Sequence, residues 1–352
     1  MTATLIRNQK RLAEQAESIQ SQVQTIAIVK NDAYNFGLKD TFDAFYHAGI
    51  RAFATTNLKE AKRLRSFDST VEVLLLDPCT AFEELKANSI TLSLPSFEFY
   101  TKYKEQLAGL SVQLVFRNDL NRLGFTDGSD MLTVLADKKL NVNGIWTHFA
   151  YADDFESDRY QHEVANWREV LNTVKDYLPS LTYIHAQNSA SYLREGLHKN
   201  HTHIRGGVIL YGTRPYYMGL DESIARQTVE VSANVIEITD VPAGQNAGYS
   251  AAFSAEKQTR LAVIDIGYGN GLILSRKNYP VLINQQSYPI QVMMMSHLLV
   301  EVDETVSVGD KVMIYSDQLR FDWFTENGAG SFSQQMAAFN KETFTEIFIP
   351  YD

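Results

Sequence analysis

Chemistry is first suggested by Lys30, which ends a short apolar run at residues 26–29 that predicts a buried strand. Its stem would pack beside the strand while its amine stays at the strand mouth. Partial burial lowers the pKa of an amine, so that part of it is uncharged and nucleophilic at neutral pH. Such an amine can bond to a carbonyl carbon, and Tyr34 adds a hydroxyl nearby. A solvated strand end is the alternative interpretation of this pattern.

Polar side chains also follow the later predicted strands. They are Arg117 and Arg122 after the fifth strand, His148 at the end of the sixth, His185, Asn188 and Ser189 after the seventh, and Arg205, Gly206 and Gly207 at the eighth. In a parallel barrel these strand ends meet at one mouth, where the side chains would converge on a ligand. Ser189 could cap a helix or donate its hydroxyl to an anion, and the glycines let backbone N–H groups approach phosphate. The alternative is that strand ends are polar because they meet water.

Eight apolar segments with short connections precede residue 212, and most of them alternate with helical segments. The predicted strands are residues 26–29, 53–57, 71–76, 90–94, 111–116, 142–149, 181–185 and 204–211. Residues 5–23 and 158–177 carry helical patterns, and Asn57 is a candidate cap for a helix through residues 60–65. This alternation predicts an α/β barrel of the TIM type with eight parallel strands.

Short strands dominate the second part of the chain. They are predicted at residues 230–238, 260–266, 271–274, 280–283, 292–301 and 311–315. Turn residues separate them, which predicts a mostly antiparallel β domain. We therefore divide the chain into a barrel at residues 1–222 and a β domain at residues 223–352.

Composition excludes several classes of function. A formal net charge of -10 disfavours a nucleic-acid partner, and the single cysteine, Cys79, excludes an internal disulfide framework and fits a reducing compartment. No signal-peptide core and no membrane-length apolar run are present, so we expect a cytoplasmic protein that makes no membrane contact. Three histidines, His198, His201 and His203, lack carboxylate or cysteine companions, and we expect a loop rather than a metal site there.

Five motifs resemble those of the alanine racemase family in the same order. They are the apolar strand with Lys30, Ala33, Tyr34 and Gly37; Asn121-Arg122-Leu123-Gly124-Phe125; Asn188-Ser189-Ala190; residues 205–212, from Arg205 to Gly212; and residues 264–271, around Gly267-Tyr268. On this resemblance the chain is identified as a member of that family, which consists of enzymes that depend on pyridoxal 5'-phosphate (PLP) and have fold type III. The resemblance covers nearly the whole chain. It implies a racemase that interconverts L- and D-alanine, a cell-wall precursor.

The resemblance also implies roles for individual residues. PLP would be held by Lys30, Tyr34, His148, Ser189, Arg205, Gly207 and Val208, and the small amino-acid substrate by Arg122, Tyr268 and Met294. Arg205 would face the pyridine nitrogen. Because arginine keeps its proton, that nitrogen would stay unprotonated, which favours return of a proton to Cα over transamination.

Racemisation requires a second acid/base on the opposite face of the substrate from Lys30. By resemblance this residue is Tyr249, assisted by His148 through its link to Arg205. The family is a homodimer in which this tyrosine enters the barrel mouth of the partner. An exposed loop aromatic is the alternative interpretation of Tyr249, since the chain has 18 tyrosines.

Two departures from the family pattern bear on the substrate. Val115 stands where the family has a lysine that braces the arginine equivalent to Arg122, and Met295 stands where it has an aspartate near the substrate carboxylate. The alternatives are therefore a racemase of another small amino acid, such as serine, and a PLP-binding homologue that has lost turnover. The first strand of the family is also predicted to be missing from the start of the chain.

Overall fold

The computed structural model describes residues 2–216 and 218–351 and divides the chain into two compact units. The barrel unit is Ala13–Leu210, and the β unit is Met1–Leu12 together with Tyr211–Asp352. The first strand, β1 (Thr4–Asn8), belongs to the β unit. The domains predicted from the sequence, 1–222 and 223–352, place both boundaries of the barrel differently from these units. That division of the chain stays a prediction.

The barrel unit is built on eight parallel strands, which confirms the predicted fold class. They are β2 (Thr25–Ile28), β3 (Ala52–Thr55), β4 (Glu72–Leu75), β5 (Thr91–Leu94), β6 (Ser111–Val115), β7 (Asn141–Trp146), β8 (Tyr183–His185) and β9 (Ile204–Gly206). Strand β9 returns to pair with β2, with Arg205 opposite Ile26. The N–H of Arg205 donates to Gln187 O (2.8 Å) just after β8, and the strands therefore form a nearly closed cylinder.

Helices separate most of the barrel strands and cover them. The helices of the chain are α1 (Gln9–Gln20), α2 (Lys30–Tyr34), α3 (Leu38–His47), α4 (Leu58–Phe67), α5 (Phe82–Ala87), α6 (Phe97–Leu107), α7 (Gly128–Leu135), α8 (Arg159–Thr173), α9 (Ser189–Glu195), α10 (Phe321–Glu326) and α11 (Phe332–Ala338). Strands β2, β3 and β5 are buried at every position, which explains their continuous apolar character. None of the helices in the described ranges has the length and apolar composition that a membrane span requires.

Of two predicted helix caps, one is found at the predicted residue and the other at the residue before it. Asn57 caps α4 as predicted, because its Oδ1 accepts from Glu60 N–H (2.9 Å). At α9 the cap is Asn188, whose Oδ1 accepts from Ser191 N–H (3.0 Å), and Ser189 is the first helical residue. The hydroxyl of Ser189 is therefore not used for capping.

The last barrel strand is shorter than predicted. It was expected over residues 204–211, but β9 ends at Gly206 and residues 208–211 form a 3-10 turn. Leu210 N–H donates to Gly207 O (2.9 Å) in this turn, and the side chain of Leu210 is fully buried. The apolar run therefore indicates burial rather than strand.

The β unit contains a large sheet and a short two-stranded one. Its remaining strands are β10 (Val229–Val241), β11 (Asn246–Ala247), β12 (Phe253–Ser254), β13 (Thr259–Ile264), β14 (Val281–Ile283), β15 (Gln286–Tyr288), β16 (Ile290–Met293), β17 (Leu298–Glu301), β18 (Lys311–Tyr315) and β19 (Thr345–Ile349). The large sheet has the order β15-β14-β18-β10-β13-β17-β16, and β1 joins it between β10 and β19. All pairs are antiparallel except β1 with β19, which agrees with the predicted mostly antiparallel domain.

Several local predictions in the β unit were wrong. Residues 4–8, at the start of the predicted helix, form β1, so the expected loss of a first strand was also wrong. The partners of β1 are more than 200 positions away in the chain, and no local pattern marks them. Residues 271–274 form no strand, because Gly271 has a φ of 97° and leads toward a 3-10 turn at Leu274–Asn278. The strand predicted at 292–301 is a hairpin of β16 and β17.

A buried ion cluster connects Arg214 with Asp322 and Arg320 within the β unit. Asp322 accepts from the N–H (3.0 Å) and Nε (3.1 Å) of Arg214 and from Nη2 of Arg320 (2.7 Å). Thr228 Oγ1 also donates to Tyr211 O (2.9 Å). These contacts explain why residues 211–222 belong to the β unit rather than to the barrel unit.

Asp322→Asn is expected to lower the free energy of unfolding by about 3–5 kcal/mol, because it removes the buried negative charge that pairs with both Arg214 and Arg320. Burial raises the pKa of Asp322, but the bonds from Arg320 and Arg214 outweigh it and bring the pKa below its ordinary value. The stabilisation is therefore present above the unfolded-state pKa and is lost as the pH falls toward the folded-state pKa. Urea unfolding at about pH 7 and at about pH 3 measures the stability lost in the variant and the pH dependence of the wild type.

The matched control is Asp43→Asn, which removes the exposed pair of Lys39 and Asp43 (2.5 Å). It should change stability by no more than about 0.5 kcal/mol. Equal effects of the two substitutions would contradict the anchoring role of Asp322.

Candidate active site

A left-handed turn carries Lys30 and Tyr34 at the mouth of β2. Helix α2 is this single turn, and residues 31–35 all have φ between 52° and 67°. The left-handed conformation costs L-residues roughly 1–2 kcal/mol each, and Asn and Asp tolerate it best. Bonds from Ala33 N–H to Val29 O (3.0 Å) and from Asn35 N–H to Asn31 O (2.9 Å) close the turn. The strained turn therefore sets where the amine and the phenol stand.

The Lys30 amine lies in surroundings that favour its uncharged form. Burial lowers the pKa of Lys30, and the Arg122 guanidinium lowers it further against an opposing effect of Asp77. A larger fraction of the amine is therefore unprotonated at neutral pH than in an exposed lysine. The sequence-based expectation of a half-buried amine agrees with this placement.

The hydroxyls of Tyr34 and Ser189 and the backbone at Gly207 form a polar cradle. Ser189 Oγ accepts from the N–H groups of Gly207 (3.2 Å) and Ile209 (3.4 Å). Burial raises the pKa of Tyr34, so its hydroxyl keeps its proton and can donate. The cradle connects the turn after β2 to the segments after β8 and β9.

Gly207 shows whether the cradle fits a phosphate. A Cβ at this position would lie 3.3 Å from Tyr34 Oη and 3.9 Å from Ser189 Oγ. The space in front of the glycine is therefore lined by two hydroxyls and by backbone, which are groups that bind phosphate oxygens. Val208 follows directly and begins the 3-10 turn. These residues fit a ligand that carries a phosphate.

Arg205 is buried in the barrel and bonded only to uncharged groups among the partners found. Its Nη1 donates to His185 Nδ1 (2.7 Å) and its Nη2 to His148 Nδ1 (2.8 Å). Nη2 also donates to the carbonyls of Thr147 (2.7 Å) and Ala186 (2.8 Å). Burial lowers the pKa of Arg205 to about 9, so the guanidinium is still charged at neutral pH.

The two histidines beside Arg205 are neutral. Burial lowers the pKa of His148 well below its ordinary value, and the cations of Arg205, Arg122 and Lys30 add to the effect. Burial and Arg205 act in the same way on the pKa of His185. Because each Nδ1 accepts from Arg205, each ring carries its hydrogen on Nε2. His148 is thus a neutral donor joined directly to Arg205.

Arg122 is exposed on a loop after β6. Because position 115 is a valine, other contacts must hold this loop. Phe125 N–H donates to Val115 O (2.7 Å), and Arg117 N–H donates to Phe125 O (2.9 Å). Gly124 has a φ of 135°, and a Cβ there would lie 2.3 Å from Arg117 N. Backbone bonds and one glycine therefore hold this loop in place of a bracing lysine.

Two buried carboxylates that support these segments were missed by the sequence reasoning. Glu163 accepts from the N–H groups of Ala150 (2.9 Å) and Tyr151 (3.1 Å), just after His148. Glu60 accepts from Asp32 N–H (2.8 Å) within the left-handed turn. Both are helical, Glu163 within α8 and Glu60 in the first turn of α4. A glutamate at such positions normally indicates a solvated face or a helix cap, so no local signal pointed to the site.

Tyr249 lies in the β unit and is 77% exposed. It begins a short 3-10 turn, and Ser250 next to it has a φ of 53°. The preceding Gly248 lies against β16, since a Cβ there would be 2.8 Å from Val292 Cγ1. The phenol is therefore presented to solvent on an irregular turn.

The other two residues predicted from the second part of the chain lie together in the β unit. Tyr268 N–H donates to Met294 O (3.1 Å), and Gly269 N–H donates to Met295 O (2.7 Å). Gly267 allows this contact, because a Cβ there would lie 2.2 Å from Met294 O. Tyr268 and Met295 are both exposed, whereas Met294 packs partly against the core around Val292.

The histidines near the start of β9 are engaged with other groups. His201 Nε2 accepts from Trp167 Nε1 (2.9 Å), and His198 Nε2 lies 2.7 Å from Glu195 Oε2. Across residues 2–216 and 218–351, no three side chains of the metal-binding types come together as a ligand set.

Comparison with protein families gives matches in both parts of the chain. The family described as alanine racemase, N-terminal domain, matches residues 2–215, and the alanine racemase C-terminal domain matches residues 228–348. Alanine racemase 2 of Staphylococcus aureus (strain Mu50 / ATCC 700699) is 39% identical over 361 residues and is covered, like this chain, at 100%. Alanine racemase of Carboxydothermus hydrogenoformans is 29% identical over 327 residues, which span 89% of this chain and 86% of that protein.

Solved structures show the same fold. Alanine racemase from E. faecalis has a TM-score of 0.87 at 20% identity and covers 99% of this chain and 98% of its own. Alanine racemase from Bartonella henselae with covalently bound pyridoxal phosphate has a TM-score of 0.87 at 21% identity, covering 99% and 100%. At these identities the likeness establishes the fold alone.

Proposed function

Because the chain belongs to the alanine racemase family, we propose that it is a PLP-dependent isomerase that interconverts L- and D-alanine. The observation that carries this proposal is the arrangement at the barrel mouth. An amine of lowered pKa stands on the same turn as a phenol that faces a phosphate cradle, and a buried arginine lies in the same barrel.

The cofactor site would use residues of the barrel unit. Lys30 would bond to the carbonyl carbon of PLP, the cradle of Tyr34, Ser189, Gly207 and Val208 would hold its phosphate, and Arg205 with His148 would face its ring. When bound, PLP supplies the electron-withdrawing group that acidifies the Cα proton of an amino acid. Arg205 keeps its charge at neutral pH and offers a hydrogen bond without giving up a proton.

Two groups of the chain would move the proton at Cα. Lys30 Nζ would accept or return it on one face, because the lowered pKa of Lys30 makes the free amine available as a base. Tyr249 Oη would do the same on the other face. His148, neutral and with a hydrogen on Nε2, would stabilise the deprotonated phenol by donating to it.

The substrate would be a small amino acid. Arg122, exposed and near Lys30 and His148, would attract the carboxylate, and Tyr268 with Met294 would limit the space for the side chain. The exposure of Tyr249 supports a homodimer in which each chain completes the active site of the other. A cytoplasmic location stays a prediction from the sequence.

Racemisation of another small amino acid, such as serine, is the second candidate. Met295 replaces the family aspartate and lies exposed beside Tyr268, which changes the charge next to the predicted substrate residues. A PLP-binding homologue without turnover is the third candidate, and the presence of both Lys30 and Tyr249 argues against it.

Proton NMR in heavy water with protein, PLP and L-alanine tests the proposal. We expect the Cα proton signal to disappear and D-alanine to form. Faster exchange of serine in the same assay would favour the second candidate. PLP binding without exchange of any small amino acid would refute the racemase and leave the cofactor-binding homologue.

Gly207→Ala is expected to weaken PLP binding about tenfold or more, because the added methyl would enter the phosphate cradle 3.3 Å from Tyr34 Oη. The backbone of Gly207 is not left-handed, so alanine can adopt it, and a small shift of the Tyr34 hydroxyl should leave the stability of the apo-protein little changed. Titration of the apo-protein with PLP measures the affinity. An unchanged affinity would place the phosphate elsewhere.

A further inference from the structure

The left-handed turn at residues 31–35 is built from non-glycine residues and sets the spacing of two proposed cofactor-binding groups. Lys30 precedes the turn and Tyr34 belongs to its last part. A run of this kind persists only where the surrounding structure holds it. Relaxation of the turn toward right-handed dihedrals would move the amine relative to the phenol, so whatever holds the turn controls the geometry of the site.

Glu60 is a buried charged group that reaches this turn from α4, the helix whose exposed Arg63 also lies 3.8 Å from Asp32 Oδ1. Its Oε1 accepts from Asp32 N–H (2.8 Å), the amide in the middle of the turn, and its Oε2 accepts from the hydroxyl of Thr55. Thr55 ends β3, and Glu60 is in the first turn of α4. One side chain therefore connects the turn to the neighbouring strand end and to a helix.

The position of Glu60 in its helix makes this contact specific. Glu60 is the third residue after the cap Asn57, where a glutamate commonly bonds back to the cap N–H. Here the cap accepts from Glu60 N–H (2.9 Å), whereas both carboxylate oxygens go to Asp32 and Thr55. The helix start thus fixes a carboxylate that serves the turn.

We propose that Glu60 is a positioning residue that holds the left-handed turn and thereby sets the Lys30 amine and the Tyr34 hydroxyl for PLP binding. This inference rests on the proposed function. Glu60 does not touch the reacting atoms, and its effect reaches the site through the Asp32 amide. Loss of the carboxylate would remove this hydrogen bond from the middle of the turn and allow the turn to relax.

The experiment compares Glu60→Ala, Glu60→Gln and Thr55→Val. Hydrogen exchange of the apo-protein over residues 30–37 reports the turn, and titration of the apo-protein with PLP reports the site. Glu60→Ala should accelerate exchange at Asp32 and weaken PLP binding about tenfold or more. Glu60→Gln should recover most of both, because its amide can accept from Asp32 N–H and donate to Thr55. Thr55→Val, which keeps the shape of the side chain, should shift both in the direction of Glu60→Ala but less.

Asp322→Asn is the matched control, since it also removes a buried carboxylate together with its ion pair, but in the β unit. It should lower stability without changing exchange over residues 30–37. The proposal is overturned if Glu60→Ala leaves exchange or PLP affinity unchanged, if glutamine recovers neither, or if Asp322→Asn weakens PLP binding equally. If Glu60→Ala does not fold, Thr55→Val decides in its place. A wild-type protein that binds no PLP refutes the proposed function, and hydrogen exchange then still decides whether Glu60 holds the turn.

Discussion

Lys30→Ala should abolish racemisation, with no exchange of the Cα proton of alanine in heavy water above the uncatalysed background. The substitution removes two functions at once, the amine that would bond to the carbonyl carbon of PLP and the base for one face of Cα. A positioned acid/base alone contributes about 10²–10⁴-fold, so the combined loss should exceed that range. Proton NMR measures exchange, and the visible absorbance of the cofactor measures its attachment.

Lys30→Arg is the informative companion variant. It retains a cation at the same strand end, but a guanidinium does not lose its proton and cannot act as nucleophile or base. It should therefore be as inactive as Lys30→Ala, while the barrel keeps its stability. Substantial activity in either variant would exclude Lys30 as the attachment point and as the base of lowered pKa.

The barrel was predictable because its strands are short, mostly buried and marked by apolar runs. Strand β6 begins at Ser111 as predicted and ends at Val115, one residue short of the prediction. Prediction failed where the same apolar signal serves another structure, as in the 3-10 turn after β9. It also failed at β1, which pairs with β10 and β19, two strands more than 200 positions away in the chain. Local patterns report burial and period, whereas pairing between distant segments depends on the whole fold.

The sequence indicated candidate site residues, which stay a prediction, but it did not indicate the contacts that hold them in place. The strand-end rule and the family motifs together indicated Lys30, His148, Ser189 and Arg205. Residues at the carboxyl ends of the strands are expected at one site, because these ends meet at one mouth of a parallel barrel. The left-handed turn after Lys30 was not foreseen, since its sequence contains no glycine before Gly37.

The loop that carries Arg122 is a second case in which the sequence did not reveal what holds a candidate site residue. Absence of a lysine at position 115 was visible in the sequence, and it raised the question of what holds the loop. Backbone hydrogen bonds between Val115, Arg117 and Phe125 hold it. Such bonds do not depend on residue type, so the sequence does not indicate them. Gly124 is the one sequence signal, and its required φ becomes clear only once the close approach to Arg117 is known.

Tyr249→Phe is the second variant for which we expect a large effect, a loss of about 10²–10⁴-fold in racemisation without loss of PLP binding. The phenyl ring keeps the shape of the exposed turn but has no proton to give or accept. Lys30 would still serve one face of Cα, so one alanine enantiomer should exchange its Cα proton in heavy water while its conversion to the other nearly stops. Exchange of both enantiomers at the wild-type rate would exclude Tyr249 as the second base.

Mixing the two inactive variants tests whether the chains share their sites. If Tyr249 of one chain completes the barrel of another, a heterodimer of Lys30→Ala and Tyr249→Phe contains one site with both native residues. Random exchange of equal amounts makes half of the dimers mixed, so about a quarter of wild-type activity should return. A tyrosine that served its own barrel would restore nothing, because every site would then lack one of the two groups. The 77% exposure of Tyr249 leads us to expect the shared arrangement.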